Sequence, residues 1–269
     1  MKIIAKHLTG ITAACIFLFA SANLAHANER CTNETFRGLY GVELTGIAGG
    51  AFQTTFVFSF VADGRGGIPS GNGTQGFPGL IVNNITLLGS YFVNADCSGQ
   101  LKVTSNDGDV GIENFVLRDG GSKFVLIDDI PGDVLTGEGE RISVNPDTHC
   151  SNNQLKGTYS LSESGFQSGN SPFGFVAKFQ ADGRGNVTNG SGTIANGHVV
   201  INNLTFTATY TVNADCSGTL ALANVSPAFQ AKTFNFVVLQ DGQKLLLIDT
   251  VTNNIETATA QRLKGDDQD

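Results

Sequence analysis

Asn94-Ala95-Asp96-Cys97-Ser98-Gly99 returns as Asn213-Ala214-Asp215-Cys216-Ser217-Gly218, 119 residues further along the chain. The same offset relates Asp63-Gly64-Arg65-Gly66 to Asp182-Gly183-Arg184-Gly185, and Asn83-Asn84-Ile85-Thr86 to Asn202-Asn203-Leu204-Thr205. Cys31, Gly38 and Tyr40 return as Cys150, Gly157 and Tyr159. A period this long is the size of a domain, so it denotes two copies of one fold and not a solenoid.

Within copy one, strand-like runs follow at close and even spacing: 38–45, 52–61, 67–74, 84–93, 100–104, 112–118, 123–129 and 134–142. Turn chemistry separates most of them, as at Asp63-Gly64, Cys97-Ser98-Gly99, Asn106-Asp107-Gly108 and Asp119-Gly120-Gly121. No stretch carries sustained i, i+3, i+4 apolar spacing with helix caps. In the fourth run Ile85, Leu87, Gly89, Tyr91 and Val93 match Leu204, Phe206, Ala208, Tyr210 and Val212, every second residue. In the second run Phe56 and Phe60 match Phe175 and Phe179 on one face, with Gln53, Thr55 and Ser59 at the alternate positions. Alternation of this kind predicts sheets with one buried and one wet face. The expected fold is therefore all-β: two tandem, homologous, antiparallel up-and-down β-barrel-like domains of about eight strands each. A two-sheet sandwich would use longer crossovers, and none is visible.

Residues 1–27 read as a signal peptide: basic Lys2 and Lys6, an apolar run from Leu8 to Ala20, and Ala25-His26-Ala27 as the cleavage site. The run is too short to span a bilayer, and Cys15 sits in a poor lipoprotein context. The expected organisation is a first repeat over 28–142, a linker over 143–149, a second repeat over 150–265 and an acidic tail over 266–269. Without Lys2 and Lys6 the chain carries 14 basic against 24 acidic residues. That balance argues against nucleic acid or an anionic membrane surface as partner, since both demand basic patches.

The four remaining cysteines allow three pairings. The repeat selects Cys31–Cys97 and Cys150–Cys216, each 66 residues apart and each within one copy. An exported compartment permits both bridges, worth about 4 kcal/mol each by loop closure. Zinc would require close Cys-x-x-Cys pairs, which are absent.

The order of strands and the Gly-x-Tyr opening resemble the calycin-like barrels of the avidin and lipocalin type. The string Tyr-x-Val-Asn-Ala-Asp-Cys-Ser-Gly-x-Leu, with Asp-Gly-Arg-Gly upstream, is similar to uncharacterised secreted bacterial tandem-repeat β domains. That resemblance covers nearly the whole mature chain and implies no activity.

Few residues suggest chemistry. His149 lies in the linker and His198 near a turn, and neither has a counterpart in the other copy. No zincin, serine-hydrolase or phosphate-loop motif occurs, and no cofactor or metal is expected. Asp-Gly-Arg-Gly reads as a tight turn and not as a calcium or phosphate loop. The ionisable residues repeated inside apolar strands are the ligand-binding candidates: Asp128 and Asp249, Arg141 and Arg262, with Tyr40 and Tyr159 in the first strand of each copy. Three readings stand for them: carboxylates exposed at the rim and capping turns, a salt bridge closing the barrel between aspartate and arginine, or polar anchors at a cavity mouth. On the outer face of strand four, Leu88 and Phe92 replace Thr207 and Thr211 of the sister copy, which marks them as an interface candidate.

The function expected is that of a non-catalytic protein, periplasmic or extracellular, holding a small apolar ligand in a barrel. A second class is a surface protein with filled barrels that meets a protein partner through its exterior. A third, an isomerase or cyclase, requires Tyr40, Asp128 and Arg141 to converge on one cavity.

Overall fold

A computed structural model describes residues 30–143, 145, 149–167, 171–197, 199–225 and 232–264. The signal peptide, His198, most of the linker and the acidic tail lie outside the described residues. The first barrel consists of β1 (Arg37–Ala48), β2 (Phe52–Asp63), the two-residue β3 (Gly67–Ile68), β4 (Ser70–Phe77), β5 (Leu80–Val93), β6 (Ser98–Ser105), β7 (Val110–Arg118), β8 (Lys123–Asp128) and β9 (Val134–Ser143). Every pairing is antiparallel; β1 pairs with both β2 and β9, and β5 with β6, so the sheet closes on itself. The short β3 and β4 both pair with β5, so together they fill one position of an eight-stranded barrel.

The second barrel is built from β10 (Lys156–Gln167), β11 (Ser171–Asp182), β12 (Asn186–Asn196), β13 (Val199–Val212), β14 (Ser217–Ala223), β15 (Thr233–Leu239), β16 (Lys244–Asp249) and β17 (Ile255–Arg262), closed by β10 against β17. Each barrel carries one disulfide, Cys31–Cys97 and Cys150–Cys216. Among the described residues the only helical turns are short 3₁₀ pieces, and no helix is long and apolar enough to cross a membrane.

Local chemistry accounts for the turns. Asp63 Oδ1 accepts hydrogen bonds from the backbone N–H of Arg65 (2.7 Å) and Gly67 (2.8 Å), and Asp182 does the same for Arg184 and Asn186. Gly64 and Gly66 take φ of 80° and 107°, a region that favours glycine. The Asp-Gly-Arg-Gly repeats are thus Asx turns.

The inner faces follow the alternation. Ile85, Leu87 and Tyr91 are buried in the first barrel, and Leu204, Phe206, Ala208, Tyr210 and Val212 in the second. The outer face of β2 does not follow it. Thr55 and Ser59 are buried there, together with Val57, because the second barrel packs against this face. Leu39 and Val57 join one apolar cluster with Val237, Leu239, Leu246 and Ile248. A Cβ on Gly41 would lie 2.6 Å from Leu239 Cδ2, so the barrels meet closely where β1 has no side chain. Polar contacts flank this seam: Asn72 Nδ2 donates to Asp215 Oδ2 at 2.6 Å, and Asn235 Nδ2 to Thr74 Oγ1 at 2.7 Å. The unbroken run Leu245-Leu246-Leu247-Ile248 has the same cause, with one set of side chains inside the barrel and the other in the seam. Leu88 and Phe92 are not part of the seam; they stay 60% and 50% exposed.

Candidate functional site

The two ends of each barrel differ. At the end that carries the disulfide, aromatic rings fill the first barrel. Phe36 lies 4.6 Å from Tyr40, 5.1 Å from Tyr91, 5.0 Å from Phe115 and 5.1 Å from Phe124, centroid to centroid. The Tyr40 hydroxyl donates to Gly121 O at 2.7 Å and accepts from Arg141 Nε at 2.9 Å. Arg141 also donates to the carbonyls of Thr35 and Gly121. Burial pushes the Tyr40 hydroxyl up to about 12, although the guanidinium opposes the shift. In the second barrel Tyr159 bonds Gly242 O at 2.6 Å and stacks on Phe179, while Arg262 lies against Gly157.

Four of the sequence candidates, Tyr40, Arg141, Tyr159 and Arg262, therefore belong to the packed end. Asp128 and Asp249 belong to the other. The six residues of β8, roughly 17 Å of strand, separate Asp128 from the Arg141 neighbourhood. The aspartate–arginine closure bridge is not formed, because each pair sits at opposite ends of its barrel. Tyr40, Asp128 and Arg141 do not converge on one cavity.

At the Asp128 end the first barrel holds a cavity of about 370 Å³. Leu44, Phe56, Ile85, Leu87, Val103 and Leu135 form its apolar wall. Glu113 projects into this wall from β7, directly opposite Asp128 in the β7–β8 register. Glu113 is only 5% exposed, and its Oε2 has no hydrogen-bond partner. Burial, reinforced by Asp128, pushes its carboxyl up to about 8. Asp128 is also raised, by burial first, while Oδ1 accepts from the Ile130 N–H at 2.7 Å. A Cβ on Gly111 would stand 2.6 Å from Glu113 Oε1, so the missing side chain is what leaves room for the carboxyl.

The equivalent end of the second barrel is filled. Lys232, 2% exposed, places Nζ 2.5 Å from Glu163 Oε1, 3.0 Å from Asp249 Oδ2 and in contact with Glu256 Oε2. The ammonium also sits 3.9 Å from the centre of the Phe173 ring. Burial disfavours its charge, yet the carboxylates of Glu163, Asp249 and Glu256 raise its pKa above the ordinary lysine value. Burial raises the Glu256 carboxyl, against the opposing charge of the Lys232 ammonium. Asn254 Nδ2 donates to Asp249 Oδ2 at 2.9 Å. Glu163, Asp249 and Glu256 also have the spacing of a metal-ligand set, but the lysine ammonium already bonds all three. Deeper in this barrel, among Leu161, Phe175, Phe206 and Phe234, the residual volume is ≈ 0 Å³.

Aligned copy against copy, the filling is a set of substitutions at inward positions. Leu44, Thr54, Gly111 and Leu135 of the first barrel become Glu163, Phe173, Lys232 and Glu256 of the second, and Glu113 becomes Phe234. These residues were not among the sequence candidates. Their signal was present as breaks in the repeat at positions whose phase points inward.

A larger groove of about 630 Å³ runs between the barrels. Part of its polar wall is already paired, with Lys244 Nζ 3.4 Å from Glu140 Oε2. His149 is exposed.

No protein-family model matches this chain. No curated protein sequence matches it either. Among solved structures it is similar to a protein of unknown function from the DUF3598 family of Nostoc punctiforme PCC 73102. That likeness has 12% identity over 87% of this chain and 100% of the other, with a TM-score of 0.28, too low to carry fold or function across.

Proposed function

We propose that the protein is exported and non-catalytic, with two units over 28–142 and 150–265, and that its first barrel holds a small apolar ligand. One observation carries this reading: one barrel has a cavity of about 370 Å³ with a buried, unpartnered carboxyl oxygen, while Lys232 and its three carboxyl partners occupy the equivalent end of its sister. Ligand sites are concave, mostly apolar and furnished with a few convergent polar groups, often of shifted pKa. The signal-like N-terminus and one disulfide per barrel support export.

The test compares the mass of the exported protein under native and denaturing conditions, for wild type and Thr54→Phe. Thr54 is buried at the cavity wall, and phenylalanine is what the sister barrel carries there. A discrete mass should be lost from the wild type on denaturation and be missing from the variant. Identical native and denatured masses in wild type would count against the proposal.

The second reading, a protein contact through the exterior, is favoured by the exposure of Leu88 and Phe92 on one face of β5. Exchanging both for threonine should leave stability within about 0.5 kcal/mol, as for ordinary surface sites. The same exchange should abolish self-association or partner capture in sedimentation; unchanged sedimentation removes the reading.

A further inference from the structure

We infer that the first barrel takes a cationic amine, an apolar body ending in one ammonium group that docks between Glu113 and Asp128. This inference rests on the cavity reading above and names the ligand class. The second barrel supplies the pattern. There an alkyl stem carries an ammonium into a nest of carboxylates and onto an aromatic face, and the ligand-like group is the chain's own Lys232.

In the first barrel the corresponding residue is Gly111, so the tethered cation is gone. Acidic groups persist. Asp128 stands where Asp249 does, and Glu113 is added directly opposite it across the β7–β8 ladder. In this cavity the carboxyl oxygen left without a partner belongs to Glu113 itself, whereas Glu163 and Glu256 each keep one such oxygen but place the other on Lys232. A buried acceptor without a donor costs free energy that an N–H group from a ligand would recover.

The rest of the lining selects the same sign. Asp107, Asp109 and Asp133 border the cavity with Glu113 and Asp128, and no lysine, arginine or histidine is among the residues that line it. A carboxylate ligand would meet like charge. A neutral one can hydrogen-bond Glu113 but brings no charge to offset the surrounding carboxylates. Phe56 and Phe77 are among the lining residues, so aromatic side chains border the cavity as Phe173 borders Lys232. On docking, Glu113 releases its proton to solvent, or to the incoming amine if that arrives as the free base.

The test uses the full mature chain with disulfides intact and three probes of equal length: decylammonium, decanol and decanoate. Calorimetric titration at pH 7.5 is run on wild type, Glu113→Gln and Thr54→Phe, each first checked for a cooperative thermal transition. Decylammonium should bind at least tenfold more tightly than decanol, with decanoate weakest. Glu113→Gln should bring the amine down to the level of decanol and leave decanol unchanged. Thr54→Phe should lose both.

If decanol binds as well as the amine and Glu113→Gln changes neither, the amine inference fails while the cavity reading survives. Tightest binding of decanoate also overturns the inference. If no probe distinguishes wild type from Thr54→Phe, the cavity reading fails and the inference with it. Should Thr54→Phe not fold, Gly111→Lys replaces it. That variant provides the tethered ammonium of the sister barrel and should exclude decylammonium.

Discussion

Lys232→Met should destabilise the second barrel by about 3–5 kcal/mol at pH 7, the usual cost of deleting one partner from a buried ion cluster. Methionine keeps most of the stem volume, so little of the loss comes from packing. The cause is charge. Glu163, Asp249 and Glu256 are each essentially inaccessible to water, and Lys232 is the cation bonded to all three. Without it, burial drives Glu163 and Glu256 further toward their protonated forms, with folded-state pKa values raised above those of the unfolded chain. Groups shifted in that sense contribute stability that is full below the unfolded pKa and lost as pH rises through the folded one. The variant should therefore approach wild-type stability near pH 4 and fall away above it. Urea melts at pH 4 and pH 7 decide the matter. Equal midpoints for wild type and variant at pH 7 would mean that the cluster contributes nothing to the fold.

Glu113→Gln should work in the opposite direction. In the ligand-free protein Glu113 is raised from 4.5 to about 8 by burial, with Asp128 as the second cause. Below the unfolded pKa the group is protonated in both states and costs nothing. Between about 4.5 and 8 the unfolded chain releases the proton while the folded chain retains it, so stability declines with rising pH. The loss at pH 8 is on the order of 3–5 kcal/mol, from the size of the shift and the near-complete burial of the side chain. Glutamine is isosteric and does not ionise, so it should raise the thermal midpoint at pH 8 by several degrees and flatten the profile. At pH 4.5 the two proteins should melt together. A gain of equal size at both pH values would show that desolvation of the carboxylate is not the cause. The same retained penalty explains why a cationic ligand is a natural complement: its charge removes the reason for Glu113 to hold a proton.

The two barrels thus use one chain fold in two ways. Gly111 and Lys232 occupy equivalent positions beside the same strand, and exchange of hydrogen for an aminobutyl chain converts a cavity into a plug. The neighbouring Leu44/Glu163 and Leu135/Glu256 differences go with it: two of the three carboxyls that meet Lys232 are leucine in the barrel that lacks the lysine. A buried lysine alone would be costly, as would three buried carboxylates alone. The combination is retained only because its members meet.

Much was decided by sequence alone. The 119-residue repeat determined that there are two domains, and its cysteine spacing determined which thiols pair. Period-two alternation in Ile85–Val93 and Leu204–Val212, with Asp-Gly turns between runs, determined the strands and their inward faces. These are local properties: a positive φ, an Asx hydrogen bond or a side chain's phase depends on neighbours within a few residues. Tertiary structure decided what depends on closure. Only when β10, β15, β16 and β17 come round one barrel do Glu163, Lys232, Asp249 and Glu256 share a site, although the chain places them up to 93 residues apart. The antiparallel register of β8 and β9 puts Arg141 and Asp128 at opposite ends, whereas strand order alone made them neighbours. The docking of the barrels buries Thr55, Val57 and Ser59 on a face whose alternation reads as wet. Strand periodicity reports which way a side chain points, and only the assembled fold determines what it meets there.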